Sequence, residues 1–274
     1  MTTDLQIVKS NHLIEASYRL SIAEQRVVLA CIAQVRRDQP VTDSVLYSVS
    51  AAEIAELSGT DPKTAYRDLS AAAARLFDRR VTILREPDGS DRIVRKRLTR
   101  WVQTVDYIDS EGRVELRFGT DMIPYLSTLS ANFTRYALTD VAKMTSAYGI
   151  RLYELLVQWG KGSREISVDQ LRHFLQLEER YPAIKDLKRR VLEPAVEQIN
   201  IHSPLFVIWE QRKTGKKITH IKFTFTQKKP HSDTGQKTKN PKLLTESEIA
   251  KKALPGESWE AARARLKQIS LKFE

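Results

Sequence analysis

The sequence has little cysteine and no long apolar run. Its single cysteine, Cys31, excludes an internal disulfide framework and fits a reducing cytosol. Because it lies in the apolar run of residues 27–32, we expect a buried, unreactive thiol. No stretch reaches the roughly 18 apolar residues that suggest a membrane span, and the first residues lack the pattern of a secretory signal. We therefore expect a cytoplasmic protein without a membrane partner.

Motifs of catalysis and metal binding are also missing. Gly215 and Lys216 follow no glycine at the spacing of a phosphate-binding P-loop. The histidines never fall two to four residues apart, which removes local metal pairs and the His-x-His of rolling-circle nucleases. They are His12, His173, His202, His220 and His231. The carboxylates form no recognisable acid/base pair, so we expect no enzymatic activity, no metal and no cofactor.

Positively charged residues are in excess. The chain carries 45 Lys+Arg against 34 Asp+Glu, which gives a net charge of +11. Such an excess favours an anionic partner, either nucleic acid or an acidic membrane surface. Charge alone also fits a basic protein that is merely soluble.

One local pattern occurs twice along the chain. In the first copy, the extended residues 47–50 lead into a helix that starts with Ser50 and Glu53 as a capping box. In the second copy, Ser167 and Gln170 form the same box. In each box the hydroxyl accepts from the N–H groups of the first helical turn, and the second side chain reaches back to the helix start.

Each short helix is followed by a longer one. Asp61 and Pro62 begin the first as N-cap and first helical residue, and Pro182 is the expected first helical residue of the second. Apolar residues recur on one face of both, namely Ala65, Leu69, Ala72, Ala73 and Leu76 in the first, and Ile184, Leu187, Val191, Leu192, Ala195 and Ile199 in the second. A short capped helix, a turn and a longer helix make a helix-turn-helix unit.

A helix precedes each unit and a hairpin follows it. The expected helices cover residues 21–35 and 145–159. The expected strands are residues 81–84 and 92–107 in the first copy, and residues 205–211 and 218–226 in the second. This order, found twice, predicts an α+β fold of two tandem winged-helix domains.

The domain boundary is expected near residues 130–132. The first winged-helix domain then covers residues 1–130 and the second covers residues 131–228. Residues 229–274 form an extension, in which a linker without apolar residues precedes two helices. The last helix carries an apolar stripe that packs on the body or on a partner, with Trp259, Ala262, Leu266, Ile269 and Phe273 at helical spacing.

Cations crowd the longer helix of the second unit. Its apolar face is turned to the core, so Lys185, Lys188 and Arg189 project from the opposite side, with Arg190 at the margin. On the second helix of a helix-turn-helix, such cations meet phosphates and guanine edges in a major groove. The other interpretation is an ordinary solvated face. Pro194 follows in the same helix and predicts a kink.

The tip of the second hairpin is basic as well. Arg212, Lys213, Lys216 and Lys217 surround a turn at Gly215, where a wing contacts an adjacent groove or backbone. In the first unit the pattern is less clear. Its longer helix carries Lys63, Thr64 and Arg67, its strands carry Arg95, Lys96 and Arg97, and the alanines at residues 71–74 indicate close packing. Backbone contact, protein contact or both remain open for this unit.

Three segments resemble a known family. Residues 133–136 with 146–156 resemble the start of the second winged helix in replication initiator (Rep) proteins of iteron-bearing, theta-replicating bacterial plasmids. Residues 186–200, including Pro194, resemble the recognition helix of that family, and residues 20–26 resemble its first helix. The resemblance spans roughly residues 5–226.

The resemblance implies a function. In such initiators, monomers bind directly repeated origin sequences, which are called iterons. The second domain is the main sequence reader, and the first makes secondary DNA contacts and forms dimers. Dimers bind an inverted repeat in the initiator's own promoter and repress it, and host initiator and helicase proteins are recruited. By position, Lys185, Lys188, Arg189 and Arg190 would read bases and phosphates.

Two other functions fit parts of the sequence. A winged-helix transcription regulator would use the same two domains without a role in replication. An origin-nicking or phosphoryl-transfer enzyme is a further alternative, but the missing His-x-His counts against it.

Overall fold

A computed structural model describes residues 5–36, 41–85, 93–127, 129, 132–160 and 162–228. The linker and helices predicted for residues 229–274 lie outside the described residues, as do residues 130 and 131 at the expected domain boundary. The free cysteine, Cys31, is buried as expected, and burial raises the pKa of its thiol.

The first domain begins with a strand and two helices. Its elements are β1 (Gln6–Ser10), α1 (Asn11–Ile14), α2 (Ile22–Ala33), β2 (Tyr47–Ser50), α3 (Ala51–Ser58), α4 (Pro62–Phe77), β3 (Arg80–Arg85), β4 (Ile93–Arg100), β5 (Val102–Ile108) and β6 (Arg113–Phe118). A 3₁₀ helix at Thr120–Tyr125 follows them.

The elements from residue 133 onward, which we call the second domain, repeat this order without a counterpart of β3 and β4. Its elements are β7 (Phe133–Ala137), α5 (Thr139–Ala142), α6 (Ala147–Val157), β8 (Gly162–Ser167), α7 (Val168–Phe174), α8 (Ile184–Leu187), α9 (Glu193–His202), β9 (Leu205–Thr214) and β10 (Lys217–Gln227). A π-helical turn at Lys188–Leu192 joins α8 to α9.

The two domains share one sheet topology. In the first, β6 lies between β2 and β5, and in the second β10 lies between β8 and β9, with all neighbours antiparallel. The strand before the helix-turn-helix thus pairs with the last strand of the hairpin in both copies. This arrangement confirms the prediction of two winged-helix domains.

Capping side chains set the helix starts. The boxes at Ser50 with Glu53 and at Ser167 with Gln170 are both formed. The carboxylate of Asp61 accepts from the backbone N–H groups of the next turn, and Pro62 is the first residue of α4. These ends were predicted because the caps act within one turn of the chain.

The run at residues 92–107 is not one strand, as the sequence suggested. It breaks at Trp101, whose side chain is fully buried and meets the ring of Tyr18 edge-on at a centroid distance of 4.9 Å. Strand β4 before the break pairs with β3, whereas β5 after it pairs with β6. The wing of the first domain is therefore the β5–β6 hairpin, and β3–β4 is an additional hairpin.

The second recognition helix also departs from its predicted outline. It begins at Ile184, not at Pro182, and no side chain caps this start. Just before Pro194 the helix is irregular, and the N–H of Glu193 donates to the carbonyl of Lys188 in the π-helical turn. A proline cannot donate to the carbonyl four residues before it, and a wider turn accommodates that missing bond.

The two domains share a small sheet and a core. Strand β1 pairs with β7 across the expected boundary, with Ile7 opposite Tyr136. Around this sheet, Arg26 donates to the carbonyl of Met144 at 3.3 Å, and Arg164 reaches Glu15 at 2.7 Å. Residues 1–228 consequently form one compact unit.

A buried carboxylate lies at the centre of this junction. Glu154 accepts from Lys9 at 2.5 Å, from Arg151 at 2.9 Å and from the hydroxyl of Tyr136 at 2.6 Å. The side chains of Lys9, Arg151 and Glu154 are all 3% exposed or less. Burial by itself would raise the pKa of Glu154, but Lys9 and Arg151 outweigh burial and lower it. The carboxylate is therefore charged at neutral pH.

Arg151 extends the network to the backbone on both sides. Its guanidinium donates to the carbonyls of Ile14 at 2.8 Å and Ala16 at 3.0 Å in the first domain, and to that of Phe174 at 3.2 Å in the second. It also stacks on the ring of Tyr18 at 3.8 Å. One helix of the second domain is thus bonded to the chain before α2.

We predict that Glu154→Gln destabilises the protein by about 3–5 kcal/mol, because it leaves the buried Lys9 and Arg151 without a counter-charge. Urea unfolding of the full chain measures this free energy. Glu56→Gln, which changes an exposed carboxylate on α3, serves as the control and should shift it by about 0.5 kcal/mol or less. Equal effects of the two substitutions would contradict the assignment.

Candidate nucleic-acid interface

The recognition helix of the second domain turns its cations to solvent. Leu187, Val191 and Leu192 are fully buried against the core, and this fixes the helix by its apolar side. Of the cations predicted on the other side, Lys185, Arg189 and Arg190 are exposed and Lys188 is half-buried. The structure thus brings all four onto one outward surface of residues 184–192, which we call the basic helix surface.

A single carboxylate organises this surface. Asp186 Oδ1 lies 3.3 Å from Arg189 Nη2 and 3.8 Å from Arg190 Nε. Both guanidiniums keep more than half of their side-chain area exposed, so they can also reach a ligand. Asp186 is thus the shared partner of two arginines, a role that the basic run in the sequence did not indicate.

The basic helix surface is connected to the wing. Lys188 Nζ donates to Gln211 Oε1 on β9 at 3.3 Å. Beyond Gln211 the hairpin turns at Gly215, which has a positive φ of 61° that glycine adopts without strain. The predicted wing residues are all exposed around this turn, namely Arg212, Lys213, Lys216 and Lys217. Helix and wing therefore present cations together.

Residues that the sequence did not single out position the helix start. Arg172 on α7 donates to the carbonyls of Arg180 at 2.8 Å and Tyr181 at 2.7 Å, and so holds the turn between the two helices. Tyr181 has a positive φ of 53° in this turn, and its ring lies 6.0 Å from the guanidinium carbon of Arg190. These contacts join residues to backbone atoms of a loop, for which no local sequence signal exists.

The first domain presents its cations in two separate places. Lys63 and Arg67 are exposed on the first half of α4 and Thr64 is half-buried there, while Ala72 and Ala73 are buried on the same helix. The helix thus packs by its alanines and exposes its basic residues. Arg67 pairs with Asp68 at 3.3 Å on the surface.

The predicted strand cations of the first domain do not lie in its wing. Arg95, Lys96 and Arg97 are on β4 of the additional hairpin, where Lys96 is exposed and Arg97 is half-buried opposite Ile83. The wing turn itself contains Asp109 and Glu111. Its nearest cation, Arg113, is neutralised by Glu111 at 2.8 Å and by Glu115. The two wings therefore differ in the sign of their charge.

Among the residues that the structure describes, no group of three or more His, Cys, Asp or Glu side chains could hold a metal ion. Within the same residues, no helix combines the length and apolarity that crossing a membrane requires.

Family profiles match both winged-helix domains. The profile described as "Initiator Replication protein, WH1" matches residues 6–157, and the profile described as "Initiator Rep protein, WH2" matches residues 167–225. Together they cover more than half of the chain.

Named relatives and one solved structure agree with the profiles. A "Replication initiation protein" of Escherichia coli is 27% identical over 220 residues, which are 77% of this chain and 66% of that protein. The "PI protein" of Escherichia coli is 24% identical over 247 residues, which cover 78% of this chain and 80% of that protein. The crystal structure of Pi initiator protein in complex with iteron DNA shares the fold, with a TM-score of 0.70 and 23% identity over 84% of this chain and 100% of that chain.

Sequence and structure thus lead to the same assignment. The helix-turn-helix units occur twice with one sheet topology, and each falls in a segment matched by a profile of initiator proteins. The chain belongs to the family of initiator replication (Rep) proteins, the plasmid initiators with two winged-helix domains that it was predicted to resemble.

Proposed function

We propose that this protein initiates plasmid replication by binding directly repeated origin sequences as a monomer. The observation that carries the proposal is the basic helix surface, in which Lys185, Arg189 and Arg190 are exposed on a helix whose other side is buried. Support also comes from the Pi initiator protein, which shares this fold and was crystallised with iteron DNA.

The second domain is the main reader in this proposal. Its recognition helix enters the major groove, where each guanidinium can donate two hydrogen bonds to one guanine, at O6 and N7. The wing lysines contact the phosphates of an adjacent stretch, and that contact adds affinity without sequence information. Because the basic helix surface and the wing are linked through Lys188 and Gln211, both meet the duplex in a fixed relation.

The first domain adds a weaker contact through α4. Lys63, Thr64 and Arg67 line the first half of this helix, which is the half that contacts base edges in helix-turn-helix proteins. The acidic wing turn at residues 109–111 is not suited to a phosphate backbone. We therefore propose that α4 makes the principal DNA contact of this domain, and that Arg95, Lys96 and Arg97 contact backbone or protein from β4.

The remaining roles are proposed from family membership. Dimers formed through the first domain would bind an inverted repeat in the protein's own promoter and repress it. Host initiator and helicase proteins would be recruited to the origin, and the protein would act in the bacterial cytoplasm without enzymatic activity of its own. In this proposal the domains are residues 1–130 and 131–228, followed by the extension at residues 229–274. The packing of α6 on α9 supports placing α6 in the second domain.

Selection of bound duplexes from a random pool tests the proposal. We expect a site of roughly 20 base pairs per monomer, because two recognition helices read successive major-groove faces about 10 base pairs apart. The selected sequence should occur as tandem direct repeats in the plasmid that carries the gene. A single isolated site upstream of the gene would instead favour a transcription regulator.

We predict that Arg189→Ala weakens binding of the selected site by about 1–3 kcal/mol and relaxes specificity at one base position. Titration against a panel of single-base variants of the site measures both effects. Arg135→Ala, which removes an exposed arginine from β7, is the matched control and should leave binding unchanged. Equal weakening on every sequence would assign Arg189 to a phosphate.

Asp186→Asn should reduce discrimination while strengthening binding to unrelated duplexes. The substitution removes a negative charge that repels phosphates, and it releases the two arginines that Asp186 orients. We expect the difference in binding free energy between selected and unrelated duplexes to shrink by about 1 kcal/mol or more. Asp121→Asn, at an exposed position of the first domain, is the control. An unchanged ratio would rule out an orienting role.

The combined substitution Lys216→Gln with Lys217→Gln should flatten the salt dependence of binding. Each lost phosphate contact lowers the slope of log affinity against log salt by about 0.9. The slope is measured by titrations over a series of salt concentrations. Arg135→Gln with Lys143→Gln removes two exposed cations elsewhere and controls for net charge. If both pairs changed the slope equally, the wing would have no specific contact.

A further inference from the structure

A cleft lies between the two winged-helix domains. Its volume is about 530 Å³. The first domain contributes Arg19 and Arg79 to its walls, and the second contributes Arg180, the start of α6 and part of α9. None of these side chains belongs to the proposed DNA contacts of the recognition helices or the wing.

The cleft carries an excess of positive charge. Three of its lining residues are arginines, and Glu197 is the single carboxylate among them. Arg79 shares the buried Glu24 with Arg75, at 2.9 Å and 3.0 Å. Because one carboxylate neutralises only one of the two guanidiniums, this wall of the cleft keeps a net positive charge.

Arg19 has no bonding partner among the residues that the structure describes, although it is half-buried in the cleft wall. Both Arg19 and Arg180 act electrostatically on the hydroxyl of Tyr148, so charges from the two domains converge on one place. A guanidinium in a cleft that no described carboxylate pairs with is suited to an anionic ligand that is planar or tetrahedral.

The start of α6 adds a directed dipole. This helix of 11 residues begins at Ala147, and Thr145, Ser146, Ala147 and Tyr148 all line the cleft. The positive end of a helix, where N–H groups are not bonded within the helix, favours phosphate groups. Guanidiniums from both domains and a helix start thus face the same volume.

The position of the cleft connects it to the DNA-binding elements. Arg79 lies two residues after the end of α4, and Arg180 lies four residues before the start of α8. Pro194, Glu197 and Gln198 of α9 form part of the wall.

We propose that the cleft between the domains binds a phosphate group, held by Arg19, Arg79 and Arg180 at the start of α6. The phosphate belongs either to the DNA backbone between the two recognition sites or to a free phosphate compound. The first source rests on the proposed function, and the second does not.

The DNA source is tested with Arg19→Gln in the full chain, with Arg135→Gln as the control of equal charge. We expect the slope of log affinity against log salt to fall by about one unit in Arg19→Gln alone, equally on selected and unrelated duplexes. Between about 50 and about 200 mM salt, the affinity advantage of the unsubstituted protein should shrink roughly threefold. Because Arg19 is partly exposed and has no hydrogen-bond partner among the described residues, the variant should fold, and thermal unfolding checks this.

Neutral methylphosphonate linkages locate the contact. They are placed one at a time along each strand of the selected duplex. A linkage between the segments read by the two recognition helices should weaken binding by the unsubstituted protein. The same linkage should not further weaken binding by the Arg19→Gln variant, since that variant has already lost the contact. Independent, additive losses would exclude a contact between Arg19 and that phosphate.

The second source is tested by calorimetric titration of the DNA-free protein with inorganic phosphate and with ADP. Binding that is lost in Arg19→Gln and retained in Arg135→Gln supports a site for a free phosphate compound. An unchanged salt slope together with no binding of either anion overturns the proposal. If the protein bound no duplex at all, the proposed function would fail, while the anion titration would still decide on the cleft.

Discussion

The arrangement of the two domains depends on the ion pairs and hydrogen bonds of the buried Glu154 carboxylate. It is bonded to Lys9 on the first strand, to Arg151 on its own helix and to Tyr136 on the strand that pairs with the first. Charges removed from water are tolerated only when all of their partners are in place. The cluster therefore favours one orientation of the domains, and through it one separation of the two recognition helices.

The two domains have one topology and different surfaces. The second presents exposed cations on its recognition helix and at its wing, with Asp186 between two arginines. The first presents cations on α4 and an acidic turn at its wing. Since the strand order of the two winged sheets is the same, the difference in surface charge comes from the side chains. The cleft between them, with arginines from both sides, belongs to neither domain by itself.

Local signals explain which elements were predicted and which were not. The capping boxes at Ser50 and Ser167 act over three residues, so the sequence places both helix starts. Strand pairing acts over long separations, and the sequence did not indicate that β1 pairs with β7. The break at Trp101 was missed because only the core, through Tyr18, draws that side chain inward. Likewise, Arg172 bonds carbonyls of a loop, a role that its neighbours in sequence do not reveal.

The sequence alone determined the two helix-turn-helix units, the buried face of each long helix and the cations opposite to it. Helical periodicity fixes which side chains share a face, and this holds before any tertiary contact forms. Tertiary structure decided the identity of the first wing and the junction around Glu154. These features join residues that are distant in sequence or that sit in irregular turns, so they arise only when the domains pack. The cleft lined by Arg19, Arg79 and Arg180 is of the same kind, because its walls come from two domains.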